Sequence, residues 1–481
     1  MKNKFSNLIL AAALTLSVFS CKEDLLSRVP KTSISDLSAY DTPDRVEALV
    51  NALYDAVKDG DVLGGRYMIY NDVRGEEFIN QTNNGVTALQ TWNFTVNASS
   101  NEVNNLWRDA YYAINSQNLF LDKIDAAPAK LAAEKITAYK AEARFLRALT
   151  YFSLVNIYAQ PYTKDNGASL GLPLRLKGEN GAGNSNNLKR STVAEVYTQI
   201  IADLNFAETN LPSTNASTDL NIIRAHKNAA IALKMRVYLA MGKYTEVAAE
   251  GAKLVSATAP FTAPSGVKNA LHANFAAIFS TYKTAESIFS FPMATNDAPG
   301  TQNQLAFYYL AGPTGGGEFS LNTTGNGILA NTGFESTDDR KKMAVTVGTR
   351  TYLNKFLTGS PFTDWVPVLR YSEVLLNLAE AKARLASGVD ASAVALLNAV
   401  RVRAKATALE PATKDALIAA ILTERRIEFL GEGLRSLDIM RLNQTFPAKG
   451  VVNAVNPSQS EYIWPIPTTE LAVNKDCVQN P

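Results

Sequence analysis

The sequence predicts a mainly α-helical body, in which tetratricopeptide-like helix pairs form a scaffold and one long, irregular, loop-rich insertion interrupts it. Three observations lead there. The chain has 481 residues, 46% apolar and 19% charged, enough to bury a large core. Apolar residues recur at steps of three and four over several stretches, in places as two stretches joined by a short Gly-containing turn. Between about residues 257 and 365 that spacing gives way to Pro, Gly, Thr and Asn with short runs of β-formers.

Composition removes several function classes. Lys and Arg total 47 against 45 Asp and Glu, a balance that argues against a bulk electrostatic hold on nucleic acid. Two histidines and two cysteines leave too few soft ligands for a zinc or iron–sulfur site, so no metal or other cofactor is expected.

Taken in order, the chain begins with Lys2 and Lys4 ahead of an apolar run from Leu8 to Phe19. Twelve residues fall short of the ~20 that a spanning helix needs. The run ends in Val18-Phe19-Ser20-Cys21, which resembles the lipobox of bacterial lipoproteins, where cleavage exposes a cysteine that carries lipid. Residues 1–20 are therefore read as a lipoprotein signal peptide and Cys21 as the lipidation site; ordinary secretion with Cys21 retained is the rival reading. Lys22-Glu23-Asp24 resembles a surface-export signal of Gram-negative lipoproteins. Residues 21–43, with Pro30 and Pro43 and little periodicity, read as a lipid-anchored tether.

Residues 44–215 read as an N-terminal helical region. Thr42-Pro43 suits the cap of a helix over Asp44 to Val57. Residues 60–100 lack helical spacing and are expected to be loops or short irregular pieces. Trp107, Tyr111, Ile114, Asn118 and Leu121 trace one face of a buried helix. A second helix, Leu131 to Ala159, is apolar nearly all round after Phe145, with Lys140, Arg144 and Arg147 as a solvated or ion-paired row. A Pro/Gly/Asn loop at 161–190 precedes a helix from Thr192 to Leu211, which Glu195 would close with a capping box.

Residues 216–481 form the C-terminal region, with the insertion at about 257–365. Ala229 to Ala240 leads through Met241-Gly242-Lys243-Tyr244 into Val247-Ala248-Ala249, which looks like a tetratricopeptide unit. Val374 to Leu385 with Ala393 to Val402 suggests a second pair, and 131–159 with 192–211 a third. Ser287 to Phe291 and Thr346 to Phe356 read as strands within the insertion.

Two constellations bear on chemistry. Glu432, Arg435, Asp438 and Arg441 recur three apart with alternating sign and read as an ion-pair ladder tying helices together. The alternative is an acid–base pair for sugar hydrolysis among Glu424, Glu428 and Asp438, the mark of an α-helical glycoside hydrolase. Neighbouring arginines would lower those carboxylate pKa values, the wrong direction for a general acid. Gly312 to Gly317 lacks the Lys-Ser/Thr of a phosphate loop. With no defensible nucleophile, a non-enzymatic role is expected.

Tyr67, Tyr70, Trp92, Tyr308 and Tyr309 lie outside the helical spacing, with Asn71, Asp72 and Arg74 alongside. A ring stacked on a sugar face removes on the order of 100 Å² from water, roughly 2.5 kcal/mol. These eight residues are the expected ligand-binding set; burial in a satellite core is the competing reading for any one ring.

Several stretches together resemble the SusD/RagB-like outer-membrane lipoproteins of nutrient-uptake systems. They are Trp107…Tyr111…Ile114…Asn118, Ala141-Glu142-Ala143-Arg144-Phe145-Leu146-Arg147-Ala148, Arg370-Tyr371-Ser372-Glu373-Val374-Leu375-Leu376 running into Ala379-Glu380-Ala381, Glu424-Arg425-Arg426 through Gly433-x-Arg435-x-x-Asp438, and Pro465-Ile466-Pro467 with Gln479-Asn480-Pro481. The resemblance implies a SusD-like α-α superhelix held by lipid on the cell-surface side of the outer membrane. It also implies a non-catalytic protein that captures oligosaccharides, or peptides in RagB-like members, for a SusC-like TonB-dependent transporter. It assigns no ligand residue here.

Overall fold

The computed structural model describes residues 38–127, 130–180 and 186–480. The signal peptide, Cys21 and the tether up to residue 37 lie outside the described residues.

Helix α1 (Pro43–Val57) starts where the sequence places it: the Thr42 side chain accepts from the Arg45 N–H, and proline occupies the first turn, where its missing N–H costs nothing. After α2 (Arg66–Val73), strand β1 (Phe78–Asn80) and the single turn α3 (Leu89–Trp92), the long helices α4 (Asn101–Lys123) and α5 (Ala133–Tyr158) follow. Then come α6 (Val193–Asn210), α7 (Leu220–Ile223), α8 (Lys227–Ala240) and α9 (Tyr244–Leu254). The insertion carries β2 (Ser287–Phe291), α10 (Leu305–Tyr309), β3 (Phe319–Leu321), β4 (Ala344–Val347) and β5 (Arg350–Leu353), and β6 (Val366–Arg370) follows it directly. Helices α11 (Tyr371–Leu385), α12 (Ala391–Arg403), α13 (Lys414–Glu428), α14 (Arg435–Arg441) and α15 (Thr468–Val473) complete the order.

The scaffold is a run of helix pairs. Helix α4 packs on α5, α5 on α6, α6 on α8, α8 on α9, α9 on α11, and α11 on both α12 and α13. All three expected pairs are present. The capping box of α6 is formed: Thr192 accepts from the Glu195 N–H, and the Glu195 carboxylate accepts from the Thr192 N–H. Arg147 on α5 is buried against α6, where it makes a two-pronged bond to Asp203 at 2.8 and 2.8 Å, and it also donates to Asn118 of α4 at 2.7 Å. Lys140 pairs with Asp125, and the Arg144 guanidinium lies 4.1 Å over the Phe206 ring, so the cationic row of α5 is partnered along its length.

Three two-stranded antiparallel ladders hold the insertion. The β2–β6 ladder joins its first strand to the residues leading into α11, and every residue of both strands is buried. The β1–β3 ladder pairs Phe78 with Leu321 and so ties the insertion to the N-terminal region. The third, β4–β5, is a hairpin from Ala344 to Leu353, so the run read as one strand at 346–356 overlaps two strands and the turn between them.

Two expectations need correction. Residues 60–100 are not all loop, because α2 is a helix whose eight residues are all buried. A helix enclosed on every side has no polar face, so it leaves no 3.6-residue pattern to read. The charged row at 432–441 does tie elements together, but mostly not by pairing within itself. Helix α14 begins at Arg435, and Glu432 lies before it in a turn. Glu432 instead binds Arg370 and Lys355, Arg435 binds Glu76, and only Asp438 and Arg441 pair within the set, at 2.8 Å.

Candidate functional site

None of the eight expected ligand residues is more than 8% exposed. Tyr67, Tyr70, Asn71 and Asp72 lie on α2, Arg74 follows it, Trp92 ends α3, and Tyr308 and Tyr309 end α10. The structure does bring them together, around the enclosed α2. The Tyr309 hydroxyl donates to Asp72 at 3.3 Å, and Asp72 accepts from the Gly433 N–H at 2.8 Å. Arg74 donates to the Tyr462 carbonyl at 2.5 Å with its guanidinium 4.6 Å over Phe446. The Tyr70 ring lies 5.0 Å from Trp464, Tyr309 stacks on Phe78 at 4.9 Å, and Tyr308 stacks on Phe319 at 6.1 Å. Asn71 donates to the Tyr67 carbonyl and the Trp92 indole to the Phe78 carbonyl, both at 2.8 Å. Lys449 closes the end of α2 by donating to the carbonyls of Val73, Arg74 and Gly75.

This is a core junction, and a ring covered on its faces offers nothing to a sugar. The void beside Tyr67 measures about 20 Å³ and the one beside Asp72 about 10 Å³, room for a single water. Burial pushes the Asp72 carboxyl up to about 8, a rise that the Gly433 N–H and the Lys355 charge only partly offset. Burial likewise lowers the Arg74 guanidinium to about 10 and holds the Lys449 ammonium well below its usual range.

The carboxylates considered for hydrolysis are buried among arginines. Burial alone would raise Glu428, yet Arg403, Arg370 and Arg340 around it hold its carboxyl far below the ordinary range. Asp438 is likewise opposed by burial but held at about 2 by Arg425 and Arg441. Glu424 accepts from Arg340 and Arg401 at 2.5 and 2.9 Å. Glu428 and Asp438, so held, have no proton to donate at neutral pH. Asp59, Asp61 and Asp109 bring their oxygens within 4.8 Å of one another, but Arg66 and Arg108 pair with Asp61 and Asp109.

Solvent-facing aromatic surface lies elsewhere. Tyr112 on α4 is 67% exposed. With Tyr40 it lines a cleft of about 380 Å³ between α1 and α4. Tyr282 and Trp365, both half-buried at one edge of the β2–β6 ladder, meet edge to face at 5.8 Å, and the Tyr282 hydroxyl donates to Asp219 at 2.8 Å. A larger cleft of about 660 Å³ between α9, α11 and α12 has one ring on its wall, Phe261. Another, of about 520 Å³ beside residues 458–463, has none. Sequence reasoning missed Tyr112 and Trp365; the available signal was that Tyr112 falls between Tyr111 and Ile114, off the buried stripe of its own helix. No helix of the described residues is long and apolar enough to cross a membrane.

Comparison with known proteins covers nearly the whole chain. A family model described as starch-binding and associating with the outer membrane matches residues 29–239, and one described as the SusD family matches residues 330–481. A crystal structure of a SusD superfamily protein from Bacteroides fragilis is 36% identical, with 91% of this chain and 99% of that chain covered and a TM-score of 0.80. SusD-like protein P2 of Formosa agariphila is 26% identical over 97% of each chain. A laminarin binding SusD-like protein shares the fold at a TM-score of 0.70 and 24% identity, covering 92% of this chain and 100% of that one. The helix pairs, the ladder-anchored insertion and an end-to-end relative at 36% identity agree: this chain belongs to the SusD family.

Proposed function

We propose that this chain is a lipid-anchored, cell-surface glycan-binding protein that delivers oligosaccharides to a SusC-like TonB-dependent transporter of the outer membrane, without altering them. The observation that carries the reading is the end-to-end match to the SusD superfamily, together with a starch-binding family model over the N-terminal half. The lipobox-like Val18-Phe19-Ser20-Cys21 supports an acyl anchor on Cys21, and the arginine-held carboxylates of Glu428 and Asp438 speak for binding without hydrolysis. In this scheme the helix pairs give a rigid support, and ligand is retained by aromatic faces and hydrogen bonds at the surface until the transporter takes it.

Extraction from native membranes tests this. An acyl mass on Cys21, copurification with a barrel transporter and retention on immobilised α- or β-glucan are expected. An unmodified amino terminus, or passage through both glucan columns with retention on a peptide column, contradicts it.

A further inference from the structure

We infer that the cleft between α1 and α4 is a binding site for a neutral pyranose, with Tyr112 as its stacking platform and Asp55 as its hydrogen-bond acceptor; this rests on the glycan-binding reading above and names its site. Two helical stripes form the walls. On α4, Tyr112, Ser116, Leu119 and Phe120 fall at steps of four, three and one and face the cleft; on α1, Leu49, Leu53 and Ala56 do the same at steps of four and three. The cleft stays open because Ala39, Ala52 and Ala56 line it where larger side chains would fill it. The Tyr40 ring packs against Phe120 with centroids 6.3 Å apart, giving a second aromatic wall.

The chemistry matches a sugar better than it matches core or apolar ligand. Tyr112 exposes two-thirds of its surface on a helix whose neighbouring aromatics, Trp107 and Tyr111, are enclosed or half-enclosed. Among the described residues, the Tyr112 hydroxyl and the Asp55 carboxylate make no hydrogen bond or ion pair. A pyranose presents one C–H face for a ring and equatorial hydroxyls that a carboxylate can accept in pairs. At about 380 Å³ the cleft lies in the size range of small-ligand sites, with apolar walls and few polar groups. The 660 Å³ cleft is larger but offers a single ring, and its Ser256 hydroxyl is already engaged by the Thr258 and Pro260 carbonyls.

The test is calorimetric titration of the mature chain with maltoheptaose and with laminarin oligosaccharides, for wild type, Tyr112→Ala, Tyr112→Phe, Asp55→Ala and Trp365→Ala. For whichever glucan wild type binds, Tyr112→Ala is expected to weaken affinity by about tenfold or more, about 1.4 kcal/mol. Tyr112→Phe keeps the ring and should stay within about threefold, Asp55→Ala should lose about fivefold, and Trp365→Ala should change nothing. Tyr112 and Asp55 are exposed, so their variants should melt as wild type does. Wild-type binding that Tyr112→Ala and Asp55→Ala leave unchanged, or that Trp365→Ala abolishes, overturns the site and leaves the glycan reading standing. Binding of neither glucan overturns both.

Discussion

Asp72 holds its proton into the neutral range because its carboxyl is enclosed, and that has a stability consequence with a definite sign. Its folded pKa, about 8, lies above the unfolded value near 3.8. The stability it contributes is complete below pH 3.8, declines as pH rises through the interval, and is gone above 8. Asp72→Asn, which keeps an acceptor for the Gly433 N–H, should therefore lose less stability than wild type between pH 5 and pH 9, by at least about 1 kcal/mol in denaturant titrations. Equal losses in the two proteins would show that Asp72 is ionised in the fold. Gly433 itself is fixed by two constraints. Its φ is +73°, and a Cβ there would stand 2.7 Å from Met68 Cα. Gly433→Ala should cost more than about 1 kcal/mol, since α2 would have to move away from the turn before α14. These contacts also explain why the burial of the expected ligand residues was not legible in the sequence. The partners that enclose Tyr70, Asp72 and Arg74 are Trp464, Gly433 and Tyr462, more than three hundred positions along the chain, and no local pattern announces them.

Helices α4, α5 and α6 meet at Arg147. The guanidinium satisfies Asp203 on α6 and Asn118 on α4 in a place closed to solvent. Arg147→Ala would strand a buried carboxylate and should cost about 3–5 kcal/mol, whereas adding Asp203→Ala should restore part of the loss. A double variant no more stable than the single one would show that Asp203 finds another partner, Arg144 being 4.0 Å away. Elements with one wet face were legible beforehand: the spacing of Trp107 to Leu121, the capping box at Thr192 and the turn at Gly242 each describe a real boundary or face. Strand β2 was legible from its β-forming run between turn residues. Helix α2 was not, for want of a polar side, and the short α10 was not, because five residues carry too little pattern to separate a helix from a loop.

Across the whole molecule, the run of helix pairs gives a stiff body, and the insertion is secured to it by two ladders instead of hanging from it. The β1–β3 ladder fastens the insertion to the N-terminal region, and β2–β6 fastens it to the entry of α11. The architecture was readable because repeated helix–turn–helix spacing and family motifs extend over the whole chain. The exposed aromatic surface was not, because a tyrosine facing water and one facing the core have the same letter in the sequence. What the fold supplies is a rigid support with few exposed rings, which the proposed function assigns to binding. Titration of wild-type mature chain with maltoheptaose and laminarin oligosaccharides, followed by analysis of the recovered sugar, decides whether that is its work. Saturable binding of a glucan recovered at its original length is the expected outcome. No binding, or the appearance of shorter sugars with new reducing ends, would contradict it.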